Sequence, residues 1–391
     1  MDFTLGISNK SLIKREEELC GDTVNILHTE DSDIVILSDG MGSGVKANIL
    51  STLTASILGT MLKNGDTLED SVETVAMTLP ICRERQVAYS TFAILQIYRD
   101  GHGYLAEYDT PACIVVRDGQ LLDLPFTEKE ICGKTIREYD FVTQENDYFV
   151  MISDGVTHAG VGGQYSFGWG RSRAAEYARE LGSRPDMTGV RLTGSMIARC
   201  GQLYEHGAGD DTTVVTARVL PRRDVNLMTG PATRREDDAR MVGDFMASPG
   251  LHAVSGGTSA TVLARELGRT VRPSLFYDDP EIPPTAEIDG IDLVTEGVLT
   301  LNRTCALLAE YQEGTQDEDF FRRLDAFNGG SQLARLLIEQ GTHIHLFVGQ
   351  AMNPAHQEAG LPFDLSIRMR LVDRIVSLCR EMGKDVSVTY Y

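Results

Sequence analysis

Three short runs place acidic residues at the ends of apolar segments: Ser38-Asp39-Gly40-Met41-Gly42-Ser43-Gly44 after Ile34 to Leu37, Ser153-Asp154-Gly155 after Tyr148 to Ile152, and Asp210-Asp211-Thr212-Thr213 before Val214 to Val219. The apolar segments read as strands, and a strand end holds a carboxylate with little freedom. A fourth acid, Asp22 in Cys20-Gly21-Asp22-Thr23, stands just before the strand Val24 to Leu27 and can join the cluster. Carboxylates gathered in one cleft repel one another and titrate upward unless a divalent cation compensates them. Oxygen-only donors suit Mg²⁺ or Mn²⁺, whereas a zinc or iron–sulfur site calls for the cysteine or histidine that these runs lack. A lone Asp-Gly is ordinarily a turn, and Asp118-Gly119 and Asp289-Gly290 are read that way. Three acidic strand ends in this order are read as a metal site.

The order Gly-Asp, Asp-Gly-Met-Gly-x-Gly, Ser-Asp-Gly, Asp-Asp-x-Thr, with Gly44-Val45-Lys46-Ala47 entering a helix, resembles the bacterial metal-dependent protein phosphatases of the PPM (type 2C) class, in the stage II sporulation protein E-like branch. The resemblance covers about residues 1–220, including Ala88-Tyr89-Ser90-Thr91-Phe92-Ala93 to Tyr108-Asp109-Thr110-Pro111, which is similar to the family's central hairpin. It implies a binuclear Mn²⁺ or Mg²⁺ centre. Asp39 would bridge the two ions; the Gly40 carbonyl and Asp22 would complete one sphere, and Asp154 and Asp210 would hold the other ion. Asp39, Asp154 and Asp210 are thereby the implied catalytic set, and a hydroxide bridging the ions would attack phosphorus in line. Asp211 stands where the class often has Asn and would hydrogen-bond to the ligands rather than bind metal.

The chain departs from the pattern in two places. Eukaryotic members have His directly after the Asp-Gly pair, and this chain has Met41. The arginine that grips substrate phosphate near the start of those enzymes has no clear match: Lys14 and Arg15 are candidates, but Glu16-Glu17-Glu18 beside them makes a solvated charged loop the preferred reading. His158, four residues past Asp154, is read as a surface residue.

A length of 391 residues suits two domains. A net charge of −21 with no basic stripe argues against nucleic-acid and anionic-membrane partners. Seven scattered cysteines without a Cys-x-x-Cys are expected to be reduced and mostly buried, as in a cytoplasmic protein. No secretory signal is read at the start, and no apolar run is read as long enough to span a bilayer.

Apolar residues at helical spacing, Ala47, Leu50, Leu53, Ile57 and Met61, predict a helix over 45–62, followed by another over 68–78. Short aliphatic runs from Ser90 to Leu124 predict a β-meander, and helices return near 173–181 and 187–204 before the last strand. The first domain is therefore α+β, and the resemblance makes it a PPM-type sandwich of two antiparallel sheets flanked by helices. Pro221-Arg222-Arg223 closes it.

Residues 225–391 carry a helix near 233–246 and aliphatic segments Leu251 to Val254, Ile291 to Val294, His343 to Val348 and Asp385 to Tyr390, which predict a smaller parallel α/β domain. Its function belongs in loops at the strands' carboxyl ends: Ser255-Gly256-Gly257-Thr258-Ser259, Thr295-Glu296-Gly297 and Gly349 to Pro354. In the first, Gly256 and Gly257 allow a backbone nest, Thr258 can cap the helix that Ser259 leads into, and the helix end favours an anion such as a nucleotide phosphate. A plain strand-to-helix turn is the alternative. Glu296 either complements a helix dipole or holds a ligand hydroxyl or metal.

The whole reads as a cytoplasmic, two-domain phosphoserine/phosphothreonine phosphatase acting on a bacterial regulatory protein, of the STAS type by family analogy, with a ligand- or partner-sensing second domain. Two alternatives stand beside it: a non-catalytic metal-binding regulatory module working through its second domain, and a hydrolase of small phosphoesters or nucleotides.

Overall fold

Ile34 to Leu37 is an uninterrupted aliphatic run, the pattern of a strand covered on both faces. The structure, a computed structural model describing residues 3–79, 90–274, 283–313, 316–351 and 363–391, bears this out: all four side chains are buried. The chain divides into two units, Met1–Pro221 and Arg222–Tyr391.

The first unit runs β1 (Phe3–Leu12), β2 (Asp22–His28), β3 (Ser32–Asp39), α1 (Gly44–Lys63), α2 (Leu68–Thr78), β4 (Thr91–Tyr98), β5 (His102–Tyr108), β6 (Ile114–Arg117), β7 (Gln120–Leu121), β8 (Thr127–Ile131), β9 (Lys134–Val142), β10 (Tyr148–Ile152), α3 (Asp154–His158), α4 (Arg171–Gly182), α5 (Gly189–Tyr204) and β11 (Thr212–Pro221). One antiparallel sheet has the order β2-β3-β4-β5-β9-β8, the other β1-β11-β10-β6-β7. Period-two alternation sorts each strand between two cores. Val35 and Leu37 face Leu5, Phe149 and Val215 of the other sheet. Ile34 and Ile36 face Ala55 and Leu58 of α1 and Val72 of α2. On the far side Val150, Ile152 and Val214 pack on α4 and α5 through Ala174, Leu192 and Met196. The result is two sheets face to face with helices outside, and each fully buried Leu, Ile or Phe contributes about 1.5–3 kcal/mol to holding it.

Three details differ from the sequence expectations. The stretch from Ser90 to Leu124 is not one meander, because β6 leaves its predecessors and pairs with β10 in the other sheet. Helix α1 buries Ala47, Ser51, Thr54, Ala55, Leu58 and Gly59, while Leu53, Val45 and Ile49 stay exposed. The helix lies close to the sheet, and beside Leu58 its buried face is made of small side chains; a Cβ on Gly59 would stand 2.5 Å from Leu27 Cδ1. The same helix is long and apolar enough to cross a membrane by length and composition, which corrects the absence read from the sequence; a third of its span is buried here against the unit's own sheet. Ala88 and Tyr89, and Met352 to Pro354 of the last loop, lie outside the described residues.

The second unit runs β12 (Asp224–Thr229), α6 (Asp238–Ala247), β13 (Leu251–Ser255), α7 (Gly257–Leu267), β14 (Arg272–Pro273), β15 (Ala286–Glu287), β16 (Leu293–Thr295), α8 (Val298–Glu313), α9 (Glu318–Leu324), α10 (Gly329–Arg335), β17 (His343–Val348), α11 (Phe363–Glu381) and β18 (Asp385–Tyr390). Its sheet has the order β14-β15-β16-β13-β12-β17-β18, with β16, β13, β12, β17 and β18 parallel and the short β14 and β15 added antiparallel at one edge. The central strand β12 was not expected from the sequence: Asp224 to Thr229 is short, and the Pro-Arg-Arg before it reads as a linker. Among the parallel strands the chain order is third, second, first, fourth, fifth, a doubly wound arrangement that opens a crevice beyond the strands' carboxyl ends.

Strand β3 is anchored at its start, 6 residues before Asp39, by Asp33, whose fully buried carboxylate accepts from Thr4 Oγ1 at 2.7 Å and Leu5 N at 2.8 Å and pairs with Arg99 and His28. Burial alone would raise the carboxyl's pKa, but His28 and Arg99 outweigh it and hold it well below the usual range. A group with a depressed folded pKa stabilises above its unfolded pKa, about 3.9, and loses that contribution as pH falls through the folded value. Asp33→Ala leaves Arg99 without its main partner and is expected to cost about 3–5 kcal/mol at pH 7, with the penalty shrinking below about pH 4. Urea unfolding followed by fluorescence of Trp169, the chain's single tryptophan and buried in the first unit, measures it.

Candidate metal centre

The register of β2 on β3 sets Asp22 directly opposite Asp39, and Thr91 flanks Asp39 from β4. In the other sheet Asp154 follows β10, and Asp210 and Asp211 precede β11, its antiparallel neighbour. Two hydrogen bonds clamp those ends together: Ser153 N donates to Thr213 O at 3.0 Å and Thr213 N to Ser153 Oγ at 2.8 Å. The two sheets thus deliver their acidic ends to one place. The glycines beside them are needed for close approach: a Cβ on Gly40 would lie 2.1 Å from Ala47 O of α1, and one on Gly155 2.1 Å from Asp211 O.

The cleft so formed has a volume of about 560 Å³ and is lined by Asp39, Asp154, Asp210, Asp211, Asp109 and Lys14, with Gly40 and Met41 at one wall. Asp22 lies behind it, buried, and neither of its carboxylate oxygens has a hydrogen-bond partner among the described residues. Asp211 Oδ2 is likewise buried without one, while its Oδ1 accepts from Lys14 N at 3.0 Å. A Cβ on Gly21 would lie 2.8 Å from Asp211 Oδ2, so Asp211 packs behind Asp22's loop rather than opening to the cleft alone.

The electrostatics follow from crowding. Burial raises the pKa of Asp39, and the charges of Asp22, Asp154 and Asp210 raise it further. Burial also raises that of Asp22, against the opposing pull of the Thr213 and Ser153 hydroxyls and with the support of Asp211 and Asp154, and it raises that of Asp154, reinforced by Asp210. The Cys20 thiol, partly buried beside Asp22, is pushed up to about 12 and is a poor nucleophile. A buried carboxylate with orphaned oxygens and neighbours of its own sign is costly without a cation, so the donors present fit divalent metal.

The structure brings Asp22, Asp39, Gly40, Asp154, Asp210 and Asp211 together. It corrects one reading outright: Lys14 is no solvated loop residue, since it lines the cleft with Nζ 3.4 Å from Asp210 Oδ1, whereas Arg15 points to Glu16 and is exposed. Tyr108 and Asp109, quoted in the sequence only as part of a hairpin, reach the rim. Asp109 has φ +48°, a left-handed conformation that Asp tolerates, and the turn after it is tied down: Arg171 donates to the carbonyls of Ala112 and Cys113, and buried Glu107 accepts from Cys113 N. The signal that could have found them is Tyr-Asp-Thr-Pro itself, a turn closing a strand beside the site.

In the second unit, Gly256, Gly257, Thr258, Ser259 and Glu296 line a separate cavity of about 500 Å³ at the carboxyl ends of β12, β13 and β16, with Arg368 of α11. Helix α7 begins at Gly257 with Gly256 (φ +117°) as its cap, so Thr258 does not cap it. Ser259 Oγ instead accepts from Gly230 N at 2.7 Å. The Glu296 carboxylate lies close to Gly257, 3.3 Å from where a Cβ there would be, and puts a negative group beside the helix end.

Residues 30–220 match the family model of Stage II sporulation protein E. Similar solved structures include the PP2C phosphatase domain with a fragment of the regulatory domain of SpoIIE from Bacillus subtilis (16% identity, TM-score 0.47, covering 56% of this chain and 64% of that one) and the RsbU and RsbW domains of a Mycobacterium tuberculosis protein (16%, 0.43, 56% and 61%). A third is the SpoIIE phosphatase domain in a crystal form without domain swapping (16%, 0.44, 56% and 93%). The chain thus spans under two thirds of the length of the first of these. Among curated proteins nothing matches. Residues 30–220 are thus similar to the stage II sporulation protein E family, a match that spans just under half of the chain.

Proposed function

We propose that this protein is a Mn²⁺- or Mg²⁺-dependent phosphoserine/phosphothreonine phosphatase acting on a phosphorylated bacterial regulatory protein. The observation that carries the reading is the convergence of Asp22, Asp39, Asp154 and Asp210 from two sheets, with the proton affinities of Asp22, Asp39 and Asp154 raised and both buried oxygens of Asp22 orphaned. Asp39 is central to the arrangement, since it feels the other three, and it is the residue suited to touch two ions; Asp22 and the Gly40 carbonyl serve one, Asp154 and Asp210 the other. Ions bound there supply positive charge to the phosphoryl oxygens and lower the pKa of water. Lys14, the cation among the residues lining the cleft, is placed to hold a phosphate oxygen, and in the substrate-free state it is kept in position by Asp210. The open cleft admits a side chain presented on a protein surface, and the family resemblance points to a STAS-type regulator in the cytoplasm.

The crevice of the second unit supports a small-molecule sensing role. With Glu296 and Arg368 both on its walls, it suits a ligand offering hydroxyl groups along with an anionic group. Gly257→Val would push a branched side chain toward Glu296. Calorimetry of the intact chain against nucleotides and sugar phosphates is expected to show binding that this variant loses, with turnover on an artificial ester unchanged; wild-type protein that binds none of them sinks the sensing role.

Carboxyls whose folded pKa is raised stabilise the fold fully below their unfolded pKa, about 3.9, and the contribution is lost as pH rises through the folded values. Metal-free protein should therefore melt at lower temperature at pH 8 than at pH 5, followed by Trp169 fluorescence, and Mn²⁺ should reverse the trend. Asp39→Asn, which cannot ionise, should raise the metal-free melting temperature at pH 8 and abolish most of the shift with Mn²⁺.

With Mn²⁺ and a phosphoserine peptide, turnover of Asp39→Asn should fall by several orders of magnitude with fold retained. Asp154→Ala and Asp210→Ala should each be nearly as damaging as the double variant, because residues that act as a unit are non-additive. Losses that multiply would assign them to different tasks.

A further inference from the structure

Helix α3 is a single turn, Asp154–His158, and residues four apart on a helix share a face. His158 therefore projects beside Asp154, its Nδ1 3.8 Å from Asp154 Oδ2. Asp210 arrives at the same spot from the strand end opposite, and one ligand atom from each of Asp154, His158 and Asp210 lies within 4.8 Å of the others. Ligands of one ion at about 2.0–2.2 Å from it are separated by roughly 3–4.4 Å, so a small side-chain rotation closes the three onto a common centre.

The turn that carries His158 is held from several sides. Trp169 N donates to Ala159 O at 2.8 Å, Gly170 N to Thr157 O at 2.8 Å, and Tyr204 OH to Gly155 O at 2.7 Å. Gly168, with φ +85°, presses on the turn so closely that a Cβ there would be 2.8 Å from His158 Cα. Among the described residues the imidazole's partner is Asp154. The backbone that carries the ring is therefore fixed, with the imidazole turned to the Asp154 carboxylate.

We propose that His158 is a nitrogen ligand to the ion held by Asp154 and Asp210, which turns that half of the centre into a mixed nitrogen–oxygen site that favours a transition ion such as Mn²⁺ over Mg²⁺. The inference rests on the metal-centre reading above and adds to it a difference between the two halves. Around Asp22 and Gly40 the donors are oxygens alone, which suit Mg²⁺ or Mn²⁺; an imidazole beside Asp154 and Asp210 shifts the preference toward transition ions. The two positions would then differ in metal preference, and the ion at the Asp154 side would resist exchange for Mg²⁺.

The test uses the full-length chain without a histidine tag, stripped of metal, as wild type and His158→Gln. His158 is about half exposed, so the variant should fold, and superimposable melting curves of the metal-free proteins check it. Calorimetry with Zn²⁺ alone is expected to show affinity weakened roughly tenfold or more in His158→Gln, with Mg²⁺ affinity unchanged. Electron spin-echo modulation of bound Mn²⁺, used as a probe, should show ¹⁴N coupling in wild type that vanishes in the variant. Equal Zn²⁺ affinities and no nitrogen coupling would reduce His158 to a surface residue paired with Asp154 and overturn the inference alone. Wild-type protein that binds none of the three ions would overturn the metal-centre reading and this inference with it.

Discussion

The first unit is organised around an electrostatic conflict: several carboxylates, some of them out of reach of water, brought together at the ends of two sheets. Burial and the charges of Asp22, Asp154 and Asp210 raise the proton affinity of Asp39, and Asp22 sits behind the cleft with both oxygens unmatched. No packing term offsets that arrangement. Only a proton or a cation does, which is why the cluster makes physical sense as a metal centre and makes little sense as a structural motif.

The rest of the unit keeps the carboxylates from moving apart. β2 and β3 lock Asp22 against Asp39 by register, and the Ser153–Thr213 hydrogen bonds lock Asp154 against the strand that starts beyond Asp211. Sheet-on-sheet packing through Leu37, Phe149 and Val215 then fixes one pair relative to the other. Helix α1 begins within five residues of Asp39 and lies hard against Gly40, so its small buried face serves the same end as the strands. At the opposite end of β3, the buried Asp33–Arg99–His28 cluster shows the contrasting solution: there the counter-charges come from the protein itself, and the carboxyl's pKa falls instead of rising.

Much of this was legible in the sequence, because Asp39, Asp154 and Asp210 each sit at the end of an aliphatic run whose burial dictates a strand. What was not legible depended on distance in space. Lys14 lies among acidic neighbours in the sequence, and only the pairing of β1 with β11 carries it to Asp210. Asp109 reaches the rim because β6 changes sheets after the Tyr108 turn, a crossing that alternation along β4 to β7 does not announce. The face that α1 buries escaped for another reason: hydrophobicity favoured Leu53, but the closeness of helix and sheet favoured Ala, Ser and Gly. In the second unit β12 was missed although it is the central strand, since six residues after a Pro-Arg-Arg linker carry too little pattern to separate from a loop.

The central claim is that the acidic strand ends exist to hold two divalent ions. A crystal of the intact chain grown with Mn²⁺ and measured at the manganese absorption edge tests it most directly. Two anomalous peaks are predicted, one between Asp22 and Asp39 and the other between Asp39 and the Asp154–Asp210 pair. A cleft with no anomalous density at saturating Mn²⁺, or with peaks only at sites away from Asp39, would contradict the account.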